Sequence, residues 1–288
     1  MSTNTTTITP NPAVGLNEPQ VSWWRRALTS PMGAQVAALL AALALWALVD
    51  RLSEKFPGPV AVLQAGYEDL VDGEFITNFT VSMRRFVIGM VLAVAIGLAL
   101  GLLIGVSRLL NDILGDLNLV GLAIPAVIWA LLCIMWFGFG DKSPVVCVIL
   151  SGVPFVAVNV AAGVRAVPPQ LLQMSSTYGV SRLRGVRHVT LPAVFGYVFA
   201  GVRFAIISGW NGLLLSEWFG ASEGVGYRAR YWYDATQWDG FLAWIVFFIV
   251  FMVVVDRGII ETISRRVFRW RDTGKAAALQ AKTRAAAV

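Results

Sequence analysis

Polar residues interrupt this chain at long, uneven intervals, and the apolar runs between them have the length of a lipid bilayer. A spanning helix needs about 20 mostly apolar residues, and six stretches meet or approach that length. The first lies in the charge-free run between Arg26 and Asp50, the second runs from Arg85 to Arg108, and the third from Asp116 to Asp141. The fourth lies between Lys142 and Arg165, the fifth covers about Val194 to Ser216 with Arg203 inside it, and the sixth follows Asp239 and ends at Asp256. The uncharged run between those two aspartates gives roughly 24 Å of helix, a little short of a bilayer core. Asp256 and Arg257 then fall near the membrane face, where arginine can snorkel. The pattern predicts an all-α, polytopic membrane protein with six transmembrane helices.

Composition agrees. Of the 288 residues, 57% are hydrophobic and 14% charged, whereas a soluble domain is nearer a quarter charged. The net charge of +6 does not call for nucleic acid, because basic residues at membrane faces set topology. With the N-terminus inside, the inner segments hold Arg25, Arg26, Arg108, Arg165, Arg182, Arg184 and Arg187. They also hold a tail set of Arg257, Arg265, Arg266, Arg269, Arg271, Lys275, Lys282 and Arg284. The outer segments hold fewer than half as many: Arg51, Lys55, Arg84, Arg85, Lys142, Arg228 and Arg230. This asymmetry predicts both termini in the cytoplasm. Residues 1–26 are expected to form a disordered cytoplasmic tail with no apolar leader region. Residues 27–80 would hold the first span and an outer segment, 81–270 the core of spans 2 to 6, and 271–288 a basic cytoplasmic tail. Cys133 and Cys147 lie in apolar runs and suggest neither a disulfide framework nor a metal motif. His188 stands alone, and the acids are scattered, which disfavours a membrane-embedded enzyme.

Two patterns sit within the spans. Gly89, Ala93, Gly97, Gly101 and Gly105 repeat every four residues on one face of span 2. Small residues at this spacing let a second helix approach closely, so the stripe reads as helix packing. Asn159 in span 4, with Ser208 and Asn211 in span 5, are polar groups at membrane depth. They either line a translocation path or form interhelical hydrogen bonds. Arg203 is expected to snorkel or pair, with attraction of an anion as the alternative. Trp218, Trp232 and Trp238 read first as an interfacial aromatic belt and second as a place for a partner to dock. Asn78-Phe-Thr fits a glycosylation sequon by chance.

The polar, basic island at 165–193 is the remaining feature. Pro168-Pro169 suits a helix start, Leu171, Met174, Ser175 and Tyr178 follow at helical spacing, and Gly179 suits a left-handed helix stop. Ser181 can cap a second short helix, with Leu183, Val186 and Val189 along one side and Arg182, Arg184 and Arg187 largely off it. Pro192 can open span 5. A helix–turn–helix across the membrane face is predicted, its apolar side packed on the protein or docked in a partner's groove, with binding to anionic lipid as the rival use.

Gly179 stands nine residues before Val189-Thr190-Leu191-Pro192, a spacing that resembles the E-A-A-x3-G-x9-I-x-L-P coupling loop of ABC-importer permeases. Gln173, Met174 and Ser175 occupy the E-A-A positions, and Val189 replaces Ile. Further agreements follow in order: Ser82-Met83-Arg84-Arg85, Pro125, Trp136-Phe137-Gly138-Phe139-Gly140, and Glu217 with Gly224-Val225-Gly226-Tyr227. Together they resemble the nitrate, sulfonate, taurine and bicarbonate branch over about residues 80 to 270. The resemblance implies a homodimeric permease of the bacterial inner membrane, with a cytoplasmic coupling helix between spans 4 and 5. It implies a pair of ATPase subunits carrying ATP and Mg, an extracytoplasmic binding protein, and a small oxyanion as solute. Gln173, Met174, Ser175, Gly179, Arg182, Arg184, Leu191 and Pro192 would form the coupling loop, and Glu217, Gly224 and Gly226 the outer loop. The missing acid and alanines alter the docking surface and suggest a dedicated ATPase. No G-x4-G-K-[ST] motif occurs, as a permease without its own nucleotide site requires. The rival function is an ion-gradient-driven secondary transporter, which would show internal repeats and charged or broken-helix sites at mid-membrane.

Overall fold

A computed structural model describes residues 31–53, 56–168 and 191–260, with isolated positions 170, 173, 174, 177, 181, 184 and 262. The described residues form helices and no strand. The chain divides into two compact units after Pro59. In the first, α1 (Pro31–Leu52) is long and apolar enough to cross a membrane, and Trp46 Nε1 donates to Pro57 O at 3.1 Å.

The second unit holds α2 (Pro59–Val71), all but its first residue, and the long α3 (Glu74–Val106). Next comes a bent pair, α4 (Arg108–Ala123) and α5 (Ala126–Phe137). Then come α6 (Lys142–Arg165), α7 (Leu191–Gly220), α8 (Val225–Asp234) and α9 (Trp238–Val253). A π-helical stretch, Val254–Ile260, continues α9, and this extension lengthens the short sixth span toward the bilayer thickness.

The centre of the unit is α6, flanked by α3 and α7. Its residues Cys147, Val148, Val156, Ala157 and Val160 are fully buried. The small-residue stripe makes this possible. Gly89, Gly97, Gly101 and Gly105 meet Val148, Val156, Val160 and Val164 in turn at a constant offset, so α3 and α6 run parallel. A Cβ on Gly101 would lie 2.6 Å from Ala157 O and from Val160 Cβ. Pairing of α6 with α7 runs the other way: Gly163 meets Val194 and Tyr197, Gly201 meets Val156, and Gly209 meets Val148.

Parallel α3 and α6 require the chain between them to return across the membrane. The contacts of α4 and α5 follow that return. Asn111 Oδ1 accepts from Arg165 at 2.5 Å, Asn118 donates to Pro154 O at 3.2 Å, Cys133 packs with Cys147, and Gly140 N donates to Gly220 O at 2.9 Å. The α4–α5 pair therefore runs back along the length of α6, with a bend of 101° between its two helices. Pro125 causes the break. It forces Ile124 into an extended conformation (φ −72°, ψ 120°), as proline does to its predecessor. Aromatic rings of α3 pack against those of α9, Phe75 tilted against Phe247 at 4.2 Å and Phe79 edge-to-face with Phe251 at 5.0 Å. Arg203 of α7 pairs with Asp256 through two hydrogen bonds of 3.0 and 2.9 Å, so it is an interhelical ion pair.

Candidate functional site

The densest polar chemistry lies at the end of the bundle where α3 and α6 begin and α7 ends. An acid at the end of one apolar span and an arginine at the start of another are costly alone, and here they meet. Glu217 is fully buried and Arg85 is 3% exposed. Arg85 Nη1 donates to Glu217 Oε1 at 2.9 Å and to Glu223 O at 2.8 Å, and its Nε donates to Asp141 Oδ1 at 2.9 Å. The Asp141 side chain also pairs with Arg84 at 2.9 Å.

This network holds the start of α8. The first amides of a helix have no intrahelical partner, and α8 has no local side-chain cap. Three side chains from elsewhere replace it. Asn78 Oδ1 accepts from Gly224 N at 2.8 Å, Ser82 Oγ from Val225 N at 2.8 Å, and Glu217 Oε2 from Gly226 N at 3.0 Å. Ser82 in turn donates to the Glu217 carboxylate at 2.8 Å. Both glycines of Gly-Val-Gly are required. Gly224 has φ +114°, and a Cβ there would lie 2.5 Å from the Glu217 carboxylate; a Cβ on Gly226 would collide with Leu214 O.

A second anchor fixes the body of α8. Buried Asp69 of α2 accepts from Arg228 at 3.0 Å, Trp232 Nε1 at 3.1 Å and Trp244 Nε1 at 2.6 Å. The Arg228 guanidinium also lies over the rings of Tyr231 and Trp232, 4.7 and 5.1 Å from their centroids, a cation–π geometry. Trp232 is thus a hydrogen-bond donor to a carboxylate, while Trp218 and Trp238 cluster with Tyr233 and Phe241.

Asp141 lies outside the spans. The hydrogen bonds from Arg85 hold its carboxyl below the usual carboxylate range, and the charges of Arg85 and Arg84 add to this. A carboxyl whose pKa is lowered by folding stabilises the fold above its unfolded pKa, and that contribution fades as pH falls through the folded value. The window therefore opens near the ordinary Asp value of about 3.9 and extends below it. Asp141→Asn is expected to remove this acid limb from a thermal-unfolding profile measured against pH. The loss at neutral pH should be small, because the side chain is 57% exposed and solvent screens it.

The other residues singled out by sequence lie elsewhere. Asn159 is half-buried, donates to Phe155 O of its own helix at 2.8 Å, and stands opposite Gly201. Ser208 is half-buried and Asn211 exposed on α7, and no hydrogen bond among the described residues joins the three. In the 166–190 segment, Gln173, Met174 and Arg184 are helical positions, and Thr177 Oγ1 donates to Gln173 O at 3.0 Å. Leu191 and Pro192 open α7. Ser175, Gly179 and Arg182 lie outside the described residues. No group of three His, Cys, Asp or Glu side chains among the described residues could hold a metal ion.

The profile of a family described as the binding-protein-dependent transport system inner membrane component matches residues 78–269. The chain belongs to that family. It is a permease subunit of an ABC importer, and such subunits are not themselves enzymes; the secondary-transporter alternative falls. The matched region begins at Asn78 and takes in the capping network apart from Asp69. The permease is 30% identical over 232 residues to the aliphatic sulfonates transport permease protein SsuC of Escherichia coli K12, covering 79% of this chain and 88% of that one. It is 25% identical over 256 residues to the taurine transport system permease protein TauC of the same organism, covering 86% and 93%. It is 23% identical over 218 residues to the nitrate import permease protein NrtB of Synechococcus elongatus, covering 72% and 78%. Among solved structures, an inward-facing MetNI methionine ABC transporter superposes with a TM-score of 0.56 at 16% identity, covering 68% of this chain and 98% of that one. That likeness shows the fold.

In the sequence, Ser82, Arg85, Glu217, Gly224 and Gly226 are separate points of resemblance. The structure joins them into one network. Asn78 fits only a chance sequon by sequence, and nothing in the sequence singles out Asp69 or Asp141 for this network. The one available signal is that Glu217, just past span 5, and Arg85, at the start of span 2, fall at the same membrane face in the predicted topology.

Proposed function

We propose that this permease imports a small sulfonate or a related oxyanion as a homodimer in the bacterial inner membrane. Its Arg85 end faces the outside, where a binding protein delivers the solute, and its Arg165 end faces the cytoplasm. Both termini are cytoplasmic. The excess of arginine and lysine in the segments at the Arg165 end supports this orientation, and the sulfonate, taurine and nitrate permeases among its relatives support the solute class.

Two ATPase subunits carrying ATP and Mg bind at the 166–190 segment. The observation that carries this reading is the hairpin of α6 and α7 around that segment. At its mouth Gly163 is in close contact with Val194 and Tyr197, so near that a Cβ would lie 2.8 Å from Tyr197. A push on the segment then moves both helices as one body, and α6 carries α3 with it through the glycine stripe. ATP favours one of two packings of the dimer, and transport follows as a population shift. Asn159, Ser208 and Asn211 are the residues proposed for the path, with Asn211 exposed for contact with solute or the second copy.

The test is co-purification with the cognate ATPase, reconstitution with the binding protein, and ATP-dependent uptake of labelled sulfonates. Gly179→Arg is expected to abolish uptake while membrane insertion stays normal. Wild-type uptake by that variant would remove the coupling role from the segment, and uptake without the ATPase would overturn the whole reading.

A further inference from the structure

One strip of α7 is left uncovered by the rest of the bundle. Ala193, Tyr197, Phe204, Ile207 and Asn211 are exposed, and Ala200 is half-buried. They follow one another at alternating steps of four and three, the spacing by which two helices wind about each other along a single seam. The other sides of α7 are closed, with Ala205, Trp210 and Leu213 buried.

Asn211 is the polar member of the seam. It lies six residues inside Glu217 and eight beyond Arg203, about 9 and 12 Å along the helix, so it stands at membrane depth. Asn159 bonds to Phe155 O and Arg203 pairs with Asp256. The Asn211 carboxamide has no hydrogen-bond partner among the described residues. Lipid supplies neither donor nor acceptor, so an exposed amide at this depth calls for a partner that is not lipid.

We infer that this partner is Asn211 of the partner subunit, and that the two side chains close the path between the copies. The inference rests on the homodimer proposed above. Two copies inserted with one topology are related by an axis along the membrane normal, so α7 and its copy run parallel. A residue on such an axis meets itself. A carboxamide suits that place because it is its own complement: each Nδ2 donates to the other Oδ1. A charged side chain there would repel its copy. One asparagine in an otherwise apolar seam also fixes register and strand number. The pair lies nearer the Glu217 end than the Arg203 end, so it closes the path on the side where the binding protein delivers solute. One of the two packings of the dimer makes the pair and the other breaks it.

The test is oxidative cross-linking in membranes, with the ATPase and binding protein present. Wild type sets the background, because Cys133 and Cys147 are buried. Val91→Cys is the control at matched depth, exposed on α3 and six residues inside Arg85. Asn211→Cys and Ile207→Cys should each give about tenfold more covalent dimer than this control, since neighbouring thiols react as if at very high concentration. A non-hydrolysable ATP analogue should change the Asn211→Cys yield several-fold. Asn211→Leu should lower the Ile207→Cys yield several-fold, because the hydrogen bonds go while the apolar seam stays. Co-purification of two differently tagged copies tests the homodimer separately. If the copies co-purify and Asn211→Cys cross-links no better than Val91→Cys, the homodimer stands and the inference falls. A cross-link that nucleotide never changes would overturn the closure. Loss of labelled sulfonate binding in Asn211→Leu, with no cross-link at 211, would assign the amide to solute and overturn the pairing. Copies that do not co-purify would remove the homodimer and the inference with it.

Discussion

Arg85→Met is expected to destabilise the permease by about 3–5 kcal/mol, the usual cost of leaving a buried charge without its partner. Glu217 has no exposure, so water cannot replace the lost guanidinium. Ser82 and the Gly226 amide still donate to the carboxylate, but neither carries a charge. Asp141 also loses its hydrogen bonds from Arg85, although Arg84 stays beside it. The double variant Arg85→Met with Glu217→Leu should recover part of the stability, because apolar replacement of a buried pair is often neutral. Recovery should stop short of wild type, since the Gly226 amide is then orphaned at about 1–3 kcal/mol. Thermal unfolding in detergent gives both numbers. If the single variant were as stable as the double one, the pair would not be the source of the effect.

Gly101→Leu should have the other large effect, on assembly of the bundle. Even an added Cβ would meet the Ala157 carbonyl oxygen at 2.6 Å, and a backbone carbonyl cannot rotate away as a side chain can. Helices α3 and α6 would have to separate, opening voids beside Val156 and Val160. Overpacking commonly costs about 1–3 kcal/mol, so Gly101→Ala should already show a loss of that size and the leucine variant a greater one. Yield of monodisperse protein and its unfolding temperature report the effect. Gly258→Ala is the control, because its Cβ would meet only Val254 Cγ1 at 3.9 Å. A leucine variant as stable as this control would show that the glycine stripe does not set the helix separation.

The spans were legible because lipid imposes one dominant requirement, an uninterrupted apolar helix. The break in the third span is written at Ile124-Pro125, because proline pushes its predecessor out of the helical region, but one proline in an apolar run does not by itself tell a sharp bend from a mild kink. The stripe in span 2 announced close packing, and only coordinates could name α6 as the neighbour. The capping network was not legible, because its bonds join residues far apart in sequence. Arg85 and Glu217 stand 132 positions apart, and Asn78 and Gly224 stand 146 apart, so no local pattern records them. The coupling segment was read through resemblance and charge asymmetry. The path residues were chosen for polarity at depth, a property that also fits the self-bonded Asn159.

The distance between Arg85 and Glu217 along the chain has a consequence for biogenesis. Synthesis at about 5–20 residues per second puts roughly ten seconds between the arginine and its permanent partner. In that interval α3 carries a cation at the membrane edge with nothing buried to answer it. Asp141 is made much sooner, 56 positions after Arg85, and sits in the loop that threads the next hairpin. It can hold the arginine until α7 arrives and Glu217 takes the inner side of the guanidinium. Of the two carboxylates that hold the buried arginine, synthesis therefore supplies the exposed one of small worth first and the permanent one last.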